Sequence, residues 1–195
     1  MTSAILIPAA GASSRMAGRD KLLELVDGQP LLRRLVTLCL PHGPVFVTLP
    51  GADHPRAQVL PRAANTVAVP DWQTGMSASL RAGNTTIPGA HDLMILPADM
   101  PEITGNDIAR MIAARTEAPG ALIWQAATMD GTPGHPVLFA AKLRDEFAGL
   151  SGDAGARPIL AAHAGRRHLV PLPGLHARLD LDTPEDWARW RESRR

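Results

Sequence analysis

The stretch that most constrains the fold of this chain is its beginning, where an apolar run passes into small residues and then into two cations. Residues 5–10 are typical of a buried first strand. The small residues 11–14 let backbone N–H groups approach a ligand closely, and Arg15 and Lys21 can neutralise phosphate charge. We therefore expect this segment to bind the polyphosphate of a nucleoside triphosphate, through Ala9, Ala10, Gly11, Ala12, Ser13, Ser14, Arg15 and Lys21.

Two better-known glycine-rich loops do not fit this segment. A dinucleotide-binding loop needs G-x-G-x-x-G, with an acidic residue about 20 positions further on. Here Gly11 is followed by Ala12 and Ser13, and no strand of that type ends in Asp or Glu. A Walker loop needs G-x-x-x-x-G-K-[ST], whereas Gly11 and Gly18 are too far apart and Gly18 precedes Arg19.

The composition predicts one domain, residues 1–195. A hydrophobic content of 45% in 195 residues is enough for one substantial core. The 20 Lys and Arg residues nearly balance the 19 Asp and Glu residues, which argues against a nucleic acid or an acidic membrane as partner. The single cysteine, Cys39, cannot form an internal disulfide and is interpreted as a buried structural thiol. Since no signal peptide or membrane span is evident, we expect a cytoplasmic location.

Strand-like and helix-like segments alternate along the chain, with Gly and Pro at the joints. This alternation predicts a three-layer α/β fold with a mostly parallel sheet that binds ligands at the carboxyl ends of its strands. Residues 53–64, which Pro55 and Pro61 interrupt, give no firm prediction. Besides the first strand, the predicted strands are 45–49, 66–69, 93–96, 121–126, 136–139 and 177–181. The predicted helices are 30–40, 77–85, 142–150 and 156–163, with two more that Thr104 and Thr183 cap.

Acidic residues at two places are candidates for binding a metal ion. Asp99 follows an apolar strand, and the Met-Pro pair after it presents its carboxylate outward at the ligand-binding edge of the sheet. The alternative, a helix cap, is weaker because Thr104 already serves as that cap. Asp180 and Asp182 would project from one face of a predicted strand; we favour Asp182, which could otherwise be a turn residue. Asp99 and Asp182 are therefore the expected ligands of Mg²⁺, which prefers carboxylate oxygens and substrate phosphates.

Two further segments could complete a substrate cleft. Gly75 permits a sharp turn, after which Ser77 and Ser79 could bind a base edge or a ribose, although Ser77 could equally be a helix N-cap. In residues 131–139 and 150–157, glycines flank single polar groups, which suits a flat or phosphorylated substrate. For His135 alone a structural role is the better interpretation, because no acidic group or nucleophile adjoins it.

The first segment resembles the [LP]-A-A-G-x-S-x-R-M-G-x-x-K signature of nucleotidyltransferases that activate sugars, isoprenoid alcohols and the molybdenum cofactor, with Ala17 as one inserted residue. The later segments resemble motifs of the molybdenum cofactor cytidylyltransferases, a branch of the MobA-like nucleotidyltransferases. These motifs are G-M-S-x-S at 75–79, D-M-P at 99–101, G-[NH]-P-V-x-F at 134–139, G-D-x-G-A-R at 152–157 and D-[IL]-D-T-P-E-D at 180–186.

This resemblance implies a Rossmann-like nucleotidyltransferase fold and cytosine as the base. It implies that Asp99 coordinates Mg²⁺, and that the second segment, Gly75, Met76, Ser77 and Ser79, binds the nucleotide. It also implies that Gly134, His135, Pro136, Gly152 and Asp153 line the pocket of a phosphorylated acceptor, with molybdopterin as that acceptor and molybdopterin cytosine dinucleotide as the product. A recipient molybdoenzyme or its chaperone would then be a protein partner.

The expected reaction needs no protein nucleophile: an acceptor phosphate oxygen attacks the α-phosphorus of CTP and pyrophosphate leaves. Arg15, Lys21 and Asp99 would be the catalytic residues. A cytidylyltransferase for a methylerythritol phosphate would fit Pro8 in the first loop better, but Met100-Pro101 stands where that family has A-R-P. An oxidoreductase is a further possibility from a different class of protein. So is a non-catalytic module that binds nucleotide or delivers cofactor.

Overall fold

The computed structural model of the chain describes residues 2–194. Its strands are β1 (Ser3–Pro8), β2 (Leu25–Val26), β3 (Gln29–Pro30), β4 (Val45–Leu49), β5 (Asn65–Ala68), β6 (Asp92–Ile95), β7 (Ile123–Ala127), β8 (Pro133–Phe139) and β9 (Arg167–Pro171). Seven of these form one sheet in the order β5-β4-β1-β6-β8-β7-β9, while β2 and β3 form a small separate ribbon. Only β8 runs antiparallel to its neighbours in the described sheet, so the predicted mostly parallel α/β architecture is confirmed.

The buried side chains of β1 show why this strand lies in the interior of the sheet. All six of its residues are buried, as expected for a parallel strand covered on both faces. Ile5 and Ile7 join one hydrophobic cluster, whereas Ala4 and Leu6 join the other. Because successive side chains of a strand point to opposite faces, this alternation divides the molecule into a sheet between two helical layers.

The helices cover both faces of the sheet. On one face, buried residues of α1 (Leu31–Cys39), α4 (Gly105–Glu117) and α6 (Pro184–Ser193) complete the larger cluster. On the other, α3 (Met76–Thr86), the 3₁₀ segment Ala141–Gly149 and α5 (Arg157–Ala162) complete the smaller one. A single helical turn, α2 (Pro55–Gln58), lies within residues 53–64, the region without a firm prediction. Thr104 and Thr183 both cap their helices as predicted.

One sequence prediction about this part of the fold was wrong. Residues 177–181 form no strand: the N–H groups of Arg178 and Leu179 both donate to the Leu175 carbonyl in a turn, and the Leu181 N–H donates to the Asp99 carbonyl. The strand at that edge of the sheet is the preceding segment, β9, which pairs in parallel with β7. The helix predicted at 142–150 is present as a 3₁₀ helix, Ala141–Gly149. Most other elements lie within one to three residues of their predicted bounds.

Cys39 is confirmed as a buried free thiol. Burial raises its pKa to about 12, so it stays protonated at physiological pH. No helix within residues 2–194 combines the length and the hydropathy that crossing a bilayer requires.

Gly134 marks a crowded approach between β8 and the turn before α6. A Cβ added there would lie 1.9 Å from the Ala177 carbonyl oxygen, which already accepts a hydrogen bond from the His135 N–H. We expect Gly134→Ala to lower the free energy of unfolding by about 1–3 kcal/mol, because the backbone must shift to admit the methyl group. Urea denaturation measures this change. Gly165→Ala is the matched control, since a Cβ there meets nothing within 4 Å; equal effects of the two variants would contradict the prediction.

Candidate active site

The candidate site lies where β1 and β6 end. These strands are adjacent and parallel, with Leu6 opposite Ile95, so their carboxyl ends meet at one edge of the sheet. The small-residue loop follows β1 and Asp99 follows β6, and both border a cavity of about 420 Å³. The sequence-predicted residues that line this cavity are Ala9, Gly11, Ala12, Ser13, Ser14, Arg15, Lys21, Met76, Asp99, His135, Asp153 and Asp182.

Lys21 bridges the two predicted metal ligands. Its Nζ lies 2.5 Å from Oδ2 of Asp99 and 2.6 Å from Oδ1 of Asp182. Arg15 reaches the other oxygen of Asp182 at 2.7 Å. Burial alone would lower the pKa of Lys21, but the charges and hydrogen bonds of Asp99 and Asp182 outweigh it and raise the pKa above its usual value. The ammonium therefore stays charged between the two carboxylates.

A third carboxylate, that of Asp180, completes the acidic cluster. One oxygen each from Asp99, Asp180 and Asp182 can lie within 4.8 Å of the others. Desolvation and the charges of Asp99 and Asp182 together raise the pKa of Asp180. The strand that was predicted to align Asp180 with Asp182 is absent; instead, the contact of Leu181 with the Asp99 backbone brings this segment to the site. A set of three carboxylates is consistent with a divalent cation.

The second predicted nucleotide-binding segment, residues 75–79, borders a cavity that the loop after β1 also lines. Gly75, with φ of 112°, precedes the first residue of α3, and Oδ1 of Asp153 accepts a hydrogen bond from the Met76 N–H. A smaller cavity of about 260 Å³ lies here, lined by Pro8, Ala10, Gly11, Ala12, Trp72, Gln73, Gly75, Met76, Ser79 and Asp153. Ser77 departs from the prediction. It is fully buried, lines neither cavity and does not cap α3, whose N-cap is Gly75.

Of the predicted acceptor residues, His135 and Asp153 line the main cavity, whereas Gly134, Pro136 and Gly152 are their chain neighbours and do not. The His135–Pro136 peptide bond is cis. Desolvation of the ring lowers the pKa of His135, and the charge of Asp99 opposes that shift.

Sequence reasoning missed two features of the site. The main cavity has an apolar wall, formed by Leu80, Ile95, Val137, Phe139 and Leu160; of these, only Val137 and Phe139 lie in a segment that the sequence assigned to the cleft. Arg56, from the region without a firm prediction, is 2% exposed and lies beneath the loop after β1. The one signal in the sequence was its position just after Pro55, which starts a helical turn.

The sequence profile of the MobA-like NTP transferase domain matches residues 5–168, a span that contains the loop after β1, Lys21, Asp99 and His135. The chain belongs to this family. Among relatives of this MobA-like chain is the molybdenum cofactor guanylyltransferase of Rhodobacter capsulatus. The two sequences are 29% identical over an alignment of 197 positions that covers 92% of this chain and 90% of the relative. The nicotine blue oxidoreductase of Paenarthrobacter nicotinovorans is 28% identical over 194 residues, 93% of this chain and 92% of the relative.

Solved structures agree with the fold. The crystal structure of Rv0371c from Mycobacterium tuberculosis H37Rv superposes with a TM-score of 0.83 at 26% identity, covering 98% of this chain and 99% of that one. A structure of Rv0371c in complex with manganese gives a TM-score of 0.80 at 23% identity, covering 99% and 100% of the two chains. Membership of the MobA-like family, predicted from the motifs, is thus confirmed, while the cytidylyltransferase branch stays a prediction.

Proposed function

We propose that this MobA-like chain is a magnesium-dependent nucleotidyltransferase that transfers CMP from CTP to the phosphate of molybdopterin and releases pyrophosphate. The observation that carries the proposal is the bridge that Lys21 makes between Asp99 and Asp182, beside the loop of small residues after β1. Cations and acidic groups for phosphate chemistry therefore converge at one cavity edge.

The charges of the cluster favour joint binding of a metal ion and a nucleotide. With all three carboxylates ionised, Arg15 and Lys21 leave the cluster with one net negative charge, which would repel a triphosphate. The carboxylate oxygens of Asp99, Asp180 and Asp182 fit a hard divalent cation. When bound, Mg²⁺ would supply Lewis-acid activation and a template for the phosphates. The manganese complex of Rv0371c supports a divalent metal here.

The residues of the chain would then act mainly by position and charge. Lys21 would exchange part of its contact with the carboxylates for the α-phosphate, and the exposed Arg15 would stabilise the departing pyrophosphate. Backbone N–H groups of residues 10–14 would bind the remaining phosphate oxygens. The acceptor phosphate would attack from the main cavity, which would hold it close to the α-phosphorus.

The main cavity suits an acceptor with a phosphate at one end and a flat ring system at the other. Lys21 lines it with a charged group, whereas Val137, Phe139 and Leu160 line it with an apolar surface. Asp153 and Arg157 supply polar groups at the rim that could bind the edge of a pterin. The relative from Rhodobacter capsulatus, a molybdenum cofactor guanylyltransferase, supports molybdopterin as the acceptor. A recipient molybdoenzyme or its chaperone would then take up the product.

The proposal is tested by incubating the purified protein with CTP, Mg²⁺ and molybdopterin, and measuring released pyrophosphate and the dinucleotide product. Methylerythritol phosphate serves as the alternative acceptor in a parallel reaction. If pyrophosphate is released with methylerythritol phosphate and not with molybdopterin, methylerythritol phosphate is the acceptor instead. Nucleotide binding without turnover on either acceptor would favour a non-catalytic module.

Base selection is a separate prediction. We propose that the cavity beside Trp72, Gly75 and Ser79, of about 260 Å³, binds the base through hydroxyl and backbone groups that pair with cytosine. Guanine is larger and presents a different order of donors and acceptors, so it would leave polar groups unpaired, each at a cost of about 1–3 kcal/mol. We expect kcat/KM for CTP to exceed that for GTP by at least about tenfold. Steady-state assays with both nucleotides and one acceptor measure the ratio. Equal use of GTP would move the protein to the guanylyltransferase branch.

A second candidate function is favoured by one specific finding, the similarity to nicotine blue oxidoreductase. Reduction by a nicotinamide cofactor would need a dinucleotide site, but the loop after β1 lacks the G-x-G-x-x-G pattern. Oxidation of a reduced nicotinamide cofactor in the presence of nicotine blue, followed by absorbance, distinguishes the two functions. Dye-dependent oxidation without any pyrophosphate release would establish the oxidoreductase instead.

A further inference from the structure

A buried guanidinium lies directly beneath the phosphate-binding loop. Nη1 of Arg56 donates to the carbonyl oxygens of Ala9 at 2.6 Å and Gly11 at 2.7 Å, and Nη2 donates to Oγ of Ser13 at 3.0 Å. Nε and Nη2 also bind both carboxylate oxygens of Asp20, at 2.7 and 2.8 Å. These five contacts match the five N–H groups of an arginine side chain, so none is left for a ligand.

The two carbonyl contacts determine where the loop amides point. The peptide units after Ala9 and Gly11 are trans, so the N–H groups of Ala10 and Ala12 point away from Arg56. Neither of these N–H groups is hydrogen-bonded to an acceptor within residues 2–194. Gly11 and Ala12 line both the main cavity and the smaller cavity beside Gly75. By holding the carbonyls inward, Arg56 keeps the amides available on the opposite side of the loop.

The same guanidinium supports a strained residue and the segment that carries Lys21. Ser13 has φ of 51°, a left-handed conformation that a non-glycine residue keeps only where its surroundings hold it. Asp20 accepts hydrogen bonds from the Ser13 hydroxyl and the Leu22 N–H as well as from Arg56. Burial raises the pKa of Asp20, but Arg56 outweighs this and brings the pKa below its usual value. The pair therefore links the loop to the backbone on both sides of Lys21.

We propose that Arg56 is a positioning residue that holds the loop after β1 in its nucleotide-binding conformation, through Asp20 and the two carbonyls. This inference rests on the proposed nucleotidyltransferase function. Since every N–H group of Arg56 is used within the protein, its effect on the nucleotide is carried by the loop amides and by the placement of Lys21.

Arg56→Lys tests the proposal, because lysine keeps the charge but cannot reach two carbonyls and a carboxylate at once. We expect at least about tenfold weaker binding of CTP with Mg²⁺, measured by calorimetry, and a raised KM for CTP with the KM for the acceptor within about twofold. Asp20→Asn is expected to change both quantities in the same direction by a smaller factor.

Arg144→Lys is the matched control. Arg144 is also buried, at 5% exposure, and donates to the carbonyls of Asn84, Ile87 and Pro88 at the far end of α3. We expect Arg144→Lys to lower the melting temperature about as much as Arg56→Lys does, while leaving CTP affinity unchanged. A folded Arg56→Lys protein with wild-type CTP affinity overturns the proposal. If Arg56→Lys does not fold, wild-type affinity for CTP in Asp20→Asn overturns the proposal instead.

Hydrogen exchange separates failure of this inference from failure of the proposed function. In Arg56→Lys we expect at least about tenfold faster exchange of the Met16 and Leu22 amides than in wild type or Arg144→Lys, because these N–H groups donate to the Ser13 carbonyl and the Asp20 carboxylate. Wild-type protein that binds no nucleotide refutes the proposed function, and the exchange comparison still decides whether Arg56 holds the loop. Equal exchange in the two variants overturns the positioning role.

Discussion

Replacing Asp99 with asparagine is expected to lower turnover by about 10²-fold or more while the protein stays folded. Asparagine keeps the shape of the side chain but removes one of the two carboxylates that Lys21 contacts, at 2.5 Å, and one of the three proposed metal ligands. Both losses weaken the stabilisation of charge that develops as pyrophosphate leaves. Steady-state rates at saturating CTP over a range of Mg²⁺ concentrations measure the effect.

Asp92→Asn is the matched control for this variant because Asp92 lies at the opposite end of the same strand. Its carboxylate accepts a hydrogen bond from the Ala141 N–H and pairs with Arg115. We expect Asp92→Asn to reduce stability and leave kcat within about twofold of wild type. Near-normal, magnesium-dependent turnover in Asp99→Asn would remove Asp99 from the proposed metal site.

Lys21→Ala is expected to lower kcat/KM for CTP by about 10²-fold, because no other cation lies between Asp99 and Asp182 within the described residues. The effect of Arg15→Ala should be smaller, since the Arg15 side chain is 69% exposed and its charge is screened by water. Pyrophosphate assays at varied CTP give both values. Lys142, the chain's only other lysine, is exposed, so we expect Lys142→Ala to leave the rates unchanged.

The stability of Lys21→Ala gives an independent measure of the acidic cluster. Without Lys21, the carboxylates of Asp99, Asp180 and Asp182 repel one another with only Arg15 nearby. We expect a lower melting temperature without metal, and a larger increase on adding Mg²⁺ than in wild type, where the ammonium competes for the same oxygens. Equal shifts in the two proteins would contradict a metal site at this cluster.

Residue types close together in sequence were enough to predict much of this molecule. The run of small residues after β1, the Asp after β6 and the capping threonines are local patterns, and their physical meaning does not depend on distant partners. The alternation of strands and helices predicts parallel pairing. Parallel pairing in turn brings the carboxyl ends of β1 and β6 to one edge of the sheet. The predicted cations and carboxylates could therefore be placed at a common site from sequence.

Contacts between distant segments decided the remainder. Asp182 reaches the site because the Leu181 N–H bonds to the Asp99 carbonyl and Lys21 attracts its carboxylate, whereas the predicted strand does not form. The Gly75 turn likewise depends on Asp153, 77 positions from Met76 in the chain.

Arg56 shows the physical limit most clearly. Its neighbour in sequence, Pro55, indicates only a turn, while the five hydrogen bonds of its guanidinium reach residues 36 to 47 positions away. A buried guanidinium is stable only where such partners converge, and that convergence is a property of the packed chain. Local residue patterns predict the fold class and the charged groups of the site, whereas packing between distant segments sets which atoms hold the loop after β1 in place.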